Sequence, residues 1–98
     1  MGDGWRVVTA PTVVEGRDAV EMVREALGGA DHVVIDLTET ELLTSEGCQA
    51  LVEVQTALAR DDRRVALRVG DTRIVAEVLR ITGLDERFPI LSRGEGLQ

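Results

Sequence analysis

Apolar residues recur along the chain with two alternating periods, one of a strand and one of a helix. Trp5 to Thr9 reads as a first strand, which Pro11 ends or sets at an edge, with Thr12 to Val14 as an irregular extension. Arg17 to Leu27 reads as a helix. Its Val20, Val23, Ala26 and Leu27 recur at three- and four-residue spacing and are expected to face the core. Gly28-Gly29 ends it. His32 to Thr38 is a nearly continuous apolar run, as expected of a central strand covered on both faces. After a polar loop, Ser45 to Arg60 is the clearest helix, with a stripe of Cys48, Leu51, Val52, Gln55, Leu58 and Ala59.

Val65 to Val69 predicts another strand. Asp71 or Thr72 can cap a helix over 72–82, whose core face is Ile74, Val75, Val78, Leu79 and Ile81. Gly83 stands where a left-handed residue would stop that helix. Phe88 to Leu91 predicts a last short strand. Strands alternating with helices predict an α/β fold with a central mixed, mostly parallel sheet of four to five strands covered by helices. Val33, Ile35, Leu37, Leu51, Leu67, Val78 and Leu79 are expected in the core.

Length and composition narrow the function classes. Ninety-eight residues fit one domain over 1–98, with its core at about 5–91 and a flexible polar tail over 92–98. Eleven basic against eighteen acidic residues give a net charge of −7, which argues against nucleic acid or anionic lipid as the main partner. No apolar run approaches the roughly 20 residues of a membrane span, so no direct membrane insertion is expected. The N-terminus lacks the pattern of a signal peptide, and cytoplasmic residence is the expectation.

Candidate chemistry is sparse. One cysteine, Cys48, excludes an internal disulfide and a multi-cysteine metal site; it falls on the apolar stripe and reads as a small core residue. His32 is the only histidine, and no nucleophile, base and acid fall into a catalytic pattern around it. No catalytic residue, metal site or cofactor is therefore expected, and no enzymatic activity. Asp36 reads either as a loop-organising carboxylate or as a polar group at a strand end where ligands of open α/β sheets bind. Asp36, Glu39, Glu41 and Glu46 form an acidic cluster without the spacing of a calcium loop. Arg60, Arg63 and Arg64 read as surface charge at a helix C-terminus.

Two segments carry a family likeness. One is Val33-Val34-Ile35-Asp36-Leu37-Thr38, then Leu42-Leu43-Thr44-Ser45-Glu46-Gly47 and the amphipathic helix. The other is Val78-Leu79-Arg80-Ile81-Thr82-Gly83-Leu84-Asp85-Glu86-Arg87-Phe88-Pro89. The first resembles the apolar strand ending in Asp-Leu-Ser, followed by Asp-Ser-Ser-Gly at a helix start, of STAS domains in bacterial anti-sigma factor antagonists. The second is similar to their closing helix, which ends in Thr-Gly-Leu before a Phe-containing turn. The likeness covers residues 32–91. The N-terminal third is shorter than the family pattern, which implies a reduced first strand or hairpin.

The resemblance implies a STAS-like fold and a partner switch. In such systems the unphosphorylated domain binds an anti-sigma factor, usually also a serine kinase, and phosphorylation of the second serine of Asp-Ser-Ser-Gly breaks the complex. The pattern aligns its Asp with Thr44, its first serine with Ser45 and its modifiable serine with Glu46. The implied partner-binding residues are Asp36, Thr44, Ser45, Glu46, Gly47 and Gln49. Ser45 reads either as a helix-start residue or as a phosphorylation site. Gly47 permits either close approach of a partner or close packing on the sheet. Glu46 places a permanent charge where a phosphoserine would stand, and the helix N-terminus favours an acid there by about 0.3–1 kcal/mol. Two functions remain open. One is binding of an anti-sigma factor, serine kinase or related regulator; the other is a structural or scaffold STAS domain in a larger or transporter-associated assembly, without a phosphorylation cycle.

Overall fold

The computed structural model describes residues 4–92. The elements run β1 (Trp5–Thr9), β2 (Val13–Val14), α1 (Gly16–Leu27), β3 (His32–Asp36), β4 (Leu42–Leu43), α2 (Ser45–Ala59), β5 (Val65–Arg68), α3 (Arg73–Ile81), α4 (Leu84–Arg87) and β6 (Ile90–Leu91). Four strands form one sheet in the order β1-β3-β5-β6, all parallel. The expected mixed sheet is thus wholly parallel, and the expected segment 12–14 is a strand of its own. That strand, β2, pairs in parallel with β4 in a separate two-stranded ribbon, an element the polar loop did not announce.

Sheet order explains where the helices lie. Each crossover advances one strand in the same direction, and such connections are right-handed, so every helix falls on one face. Ala19, Met22 and Ala26 of α1, Ala50, Leu51, Val54 and Leu58 of α2, and Val75 and Leu79 of α3 pack there in one core with Val8, Val33, Ile35 and Leu67. The opposite face carries a small cluster of Val34, Ala66 and Leu91 with Trp5 against it. Helices therefore cover β3 on one face, not two, and its unbroken apolar run reflects two unequal clusters.

Six of the seven residues expected in the core are buried; Val78 is half-buried. The larger correction concerns which stripe of each helix faces inward. In α1, Ala19, Met22 and Ala26 are inside, while Val20 and Leu27 are 55% and 40% exposed. In α3, Val75 and Leu79 are inside, while Ile74 and Ile81 are 56% and 72% exposed. In α2, Ala59 is exposed, and Gln55 exchanges hydrogen bonds with Arg87 across to α4, at 2.8 Å to its carbonyl and 2.6 Å from its Nε. Each helix carries two apolar stripes, and hydrophobic spacing alone cannot say which of the two the sheet takes.

Helix ends are held by distant groups. Gly83, with φ of 79°, takes the left-handed position after α3 as expected. Arg63 belongs to the end of α1 rather than α2: its Nη2 donates to the Gly28 carbonyl at 3.1 Å and its Nε to that of Asp31 at 2.8 Å. Arg6 reaches the same turn, donating to Glu25 and Gly28 carbonyls at 2.9 and 2.8 Å. Two guanidinium groups thus meet the negative end of one helix dipole. His32 is the first residue of β3, its Nδ1 accepting the Arg64 N–H at 2.9 Å beside the Trp5 ring. Apart from Ser92, which is exposed, the expected tail lies outside the described residues.

Candidate functional site

The β2–β4 ribbon builds the site. Val14 pairs with Leu43, and each strand leads directly into a helix, so α1 and α2 start side by side. Thr44 is the N-cap of α2: its Oγ1 accepts the Gly47 N–H at 3.2 Å and donates to the Val14 carbonyl at 2.6 Å. One hydroxyl therefore caps a helix and ties it to β2. Gly47 is buried, and a Cβ there would lie 2.6 Å from the Val14 oxygen and 2.8 Å from Leu43 Cδ1. Close packing on the ribbon accounts for this glycine without any partner. The loop beneath is pinned by Thr40, which is fully buried and donates its hydroxyl to the Pro11 carbonyl at 2.8 Å. Sequence reasoning passed over Thr40, because nothing in a loop threonine's neighbours announces burial.

Asp36 organises the turn after β3. Its Oδ1 accepts from the Thr38 N–H at 2.8 Å and the Thr38 hydroxyl at 2.6 Å. Glu46 is exposed, and its Oε1 accepts the Gly16 N–H at 3.1 Å, so its carboxylate bridges the starts of both helices. Ser45 and Gln49 are exposed beside it.

Of the outward apolar residues, Leu27 and Ile81 line a groove of about 1180 Å³ over α2, between α1 and α3. Val23 and Leu27 form one wall, Cys48 and Val52 the floor, and Val78 and Ile81 the other wall. Thr44, Ser45 and Gln49 line one end, and Arg60 also lines it, from the far end of α2. Asp36 and Gly47 do not line it. Cys48 is half-buried, forming this floor while it packs against the core. Burial pushes its thiol pKa up, offset in part by a hydrogen bond with Thr82. Ionisation of this thiol is thereby disfavoured, contrary to what a nucleophile needs.

Among the described residues, no three His, Cys, Asp or Glu side chains come together as metal ligands. No described helix is long and apolar enough to cross a membrane. Apolar Val23, Leu27, Val52 and Ile81 share the lining with polar Ser45, Gln49, Glu53, Thr56 and Arg60 spaced along α2, a mixed surface that suits contact with another protein.

Comparison with known proteins agrees with this geometry. The family model described as "Mlab, STAS domain" matches residues 12–92, from the ribbon through β6. Among curated proteins none matches the chain. STAS domains in general act by binding other proteins and as a rule are not enzymes. With four parallel strands, helices on one face and a family match across most of its length, the chain belongs to the STAS domain family.

Proposed function

We propose that the chain docks a protein partner on the apolar face shared by α1, α2 and α3, and that the partner is an anti-sigma factor of the serine-kinase type or a related regulator. The observation that carries the reading is the outward apolar surface of Leu27 and Ile81 on the walls of the groove, which leads to the start of α2. Isolated exposed apolar residues are ordinary; a contiguous set with a polar rim marks an interaction surface. Ser45 and Gln49 contact the partner, while Thr44, Gly47 and Asp36 shape the footprint. The reading takes 1–98 as one non-enzymatic, cytoplasmic domain, and the net charge of −7 favours a partner with a basic face.

A second reading is a structural STAS subunit of a larger or transporter-associated assembly. One observation favours it: the residue at the family's switch position is Glu46, and its carboxylate is engaged with Gly16. Such a domain holds its partner without a phosphorylation cycle at that position. Titration with purified anti-sigma factor kinases from the same organism, with and without ATP, tests the first reading. Saturable binding supports it. No binding by any of them, with the protein eluting in a larger complex from a gentle lysate, favours the second.

A further inference from the structure

We infer that Glu46 is a latch that fixes the start of α1 against the start of α2 and so sets the shape of the groove between them. The inference rests on intramolecular geometry and holds whichever partner the face takes. α1 lacks a cap of its own, since the side chain of its N-cap residue, Glu15, makes no capping bond. A first-turn N–H has no partner within its helix. At Gly16 that donor is taken by Glu46 Oε1, 30 positions away in sequence. The ribbon makes this possible, because Val14 and Leu43 pair in register just before the two helices begin.

Three other links cross this junction: the ribbon pairing, the Thr44–Val14 bond and the seat of Gly47 on Val14. All three end on β2. Among the described hydrogen bonds at this junction, the one from Gly16 to Glu46 reaches into α1 itself, at the head of two helices that also pack side by side in the core. Its carboxylate stands at the N-terminal ends of both helices at once. Beside it lies a second groove of about 460 Å³, between α1 and α2, bordered by Gly16, Val20 and Leu27 on one side and Glu46, Gln49 and Glu53 on the other. The latch closes one end of that groove. A serine at this position would stop two carbon atoms short of the Gly16 N–H, whereas the glutamate spans the gap.

Solvent exchange of the Gly16 amide, measured by NMR on the isolated protein, tests the latch without any partner. Glu46→Asp keeps an acid in the first turn of α2 but shortens its reach by one carbon; Glu46→Ala removes the acid. Both should speed Gly16 exchange on the order of ten-fold, as expected on losing one charge-assisted hydrogen bond at an accessible site. The Ile35 amide, in the core strand, should stay protected in every variant and reports an intact fold. Wild-type exchange at Gly16 in Glu46→Asp overturns the latch, because charge without reach would then suffice. Wild-type exchange in both variants overturns it equally.

Discussion

Glu46 Oε1 lies 3.1 Å from the amide nitrogen of Gly16, so the residue that we propose stands at the switch position ties two helix starts together. Glu46→Ser should therefore have two effects. It frees the start of α1, and it places a hydroxyl where the resemblance puts the modified serine. A serine-kinase anti-sigma factor with ATP should label this variant at position 46, and mass spectrometry would locate the added phosphate. Absence of phosphate at position 46, with the kinase active on another substrate, contradicts the alignment of Glu46 with the modified serine.

Thr44→Ala removes the cap of α2 and leaves the Val14 carbonyl without its hydroxyl donor. The expected loss is about 1–2 kcal/mol by urea denaturation, the usual range for an N-cap threonine. Thr44→Ser keeps the hydroxyl and should recover most of it. Equal losses in both variants would show that the methyl group, not the hydrogen bonds, carries the contribution.

Gly47→Ala adds a methyl group where the Val14 oxygen stands 2.6 Å away. The ribbon or the helix must shift, at a cost of about 1–3 kcal/mol, the range for overpacking a closed site. The same denaturation curve reads it. Unchanged stability would mean that the start of α2 is free to lift off β2.

Cys48 sits in the groove floor with its thiol pKa raised by burial. The folded state therefore keeps its proton to higher pH than the unfolded chain does. Stability should fall as pH rises from the unfolded thiol's range, about 8.5, through the folded value. Cys48→Ser should flatten that decline. At neutral pH, iodoacetamide should modify Cys48 more slowly than an unstructured thiol; an equal rate contradicts the burial.

The order of the four main-sheet strands and of α1, α2 and α3 was legible because strand and helix periods differ and glycines mark the breaks; β4 and α4, of two and four residues, were not. Ile35, Leu51 and Leu67 were legible as core because each lies on an uninterrupted apolar pattern. The outward stripes were not. Val20 and Leu27 match helical spacing as well as Ala19, Met22 and Ala26 do, and only contact with the sheet separates them. The α2 start was legible as a helix N-terminus at Ser45, and Asp36 as a turn carboxylate through its place before Thr38. The bond from Glu46 to Gly16 was not, because it depends on the pairing of two-residue strands too short to leave a pattern.

The central claim is that the face over α1, α2 and α3 is the binding surface. Its most direct test is the affinity of a binding anti-sigma factor kinase for wild type and for Leu27→Asp and Ile81→Asp, each first shown to unfold within about 0.5 kcal/mol of wild type, as exposed positions should. The account predicts that each aspartate weakens binding at least ten-fold, and that ATP leaves the wild-type complex intact because position 46 offers no hydroxyl. Wild-type affinity in both variants, or release of the wild-type complex on phosphorylation of Ser45, would contradict it.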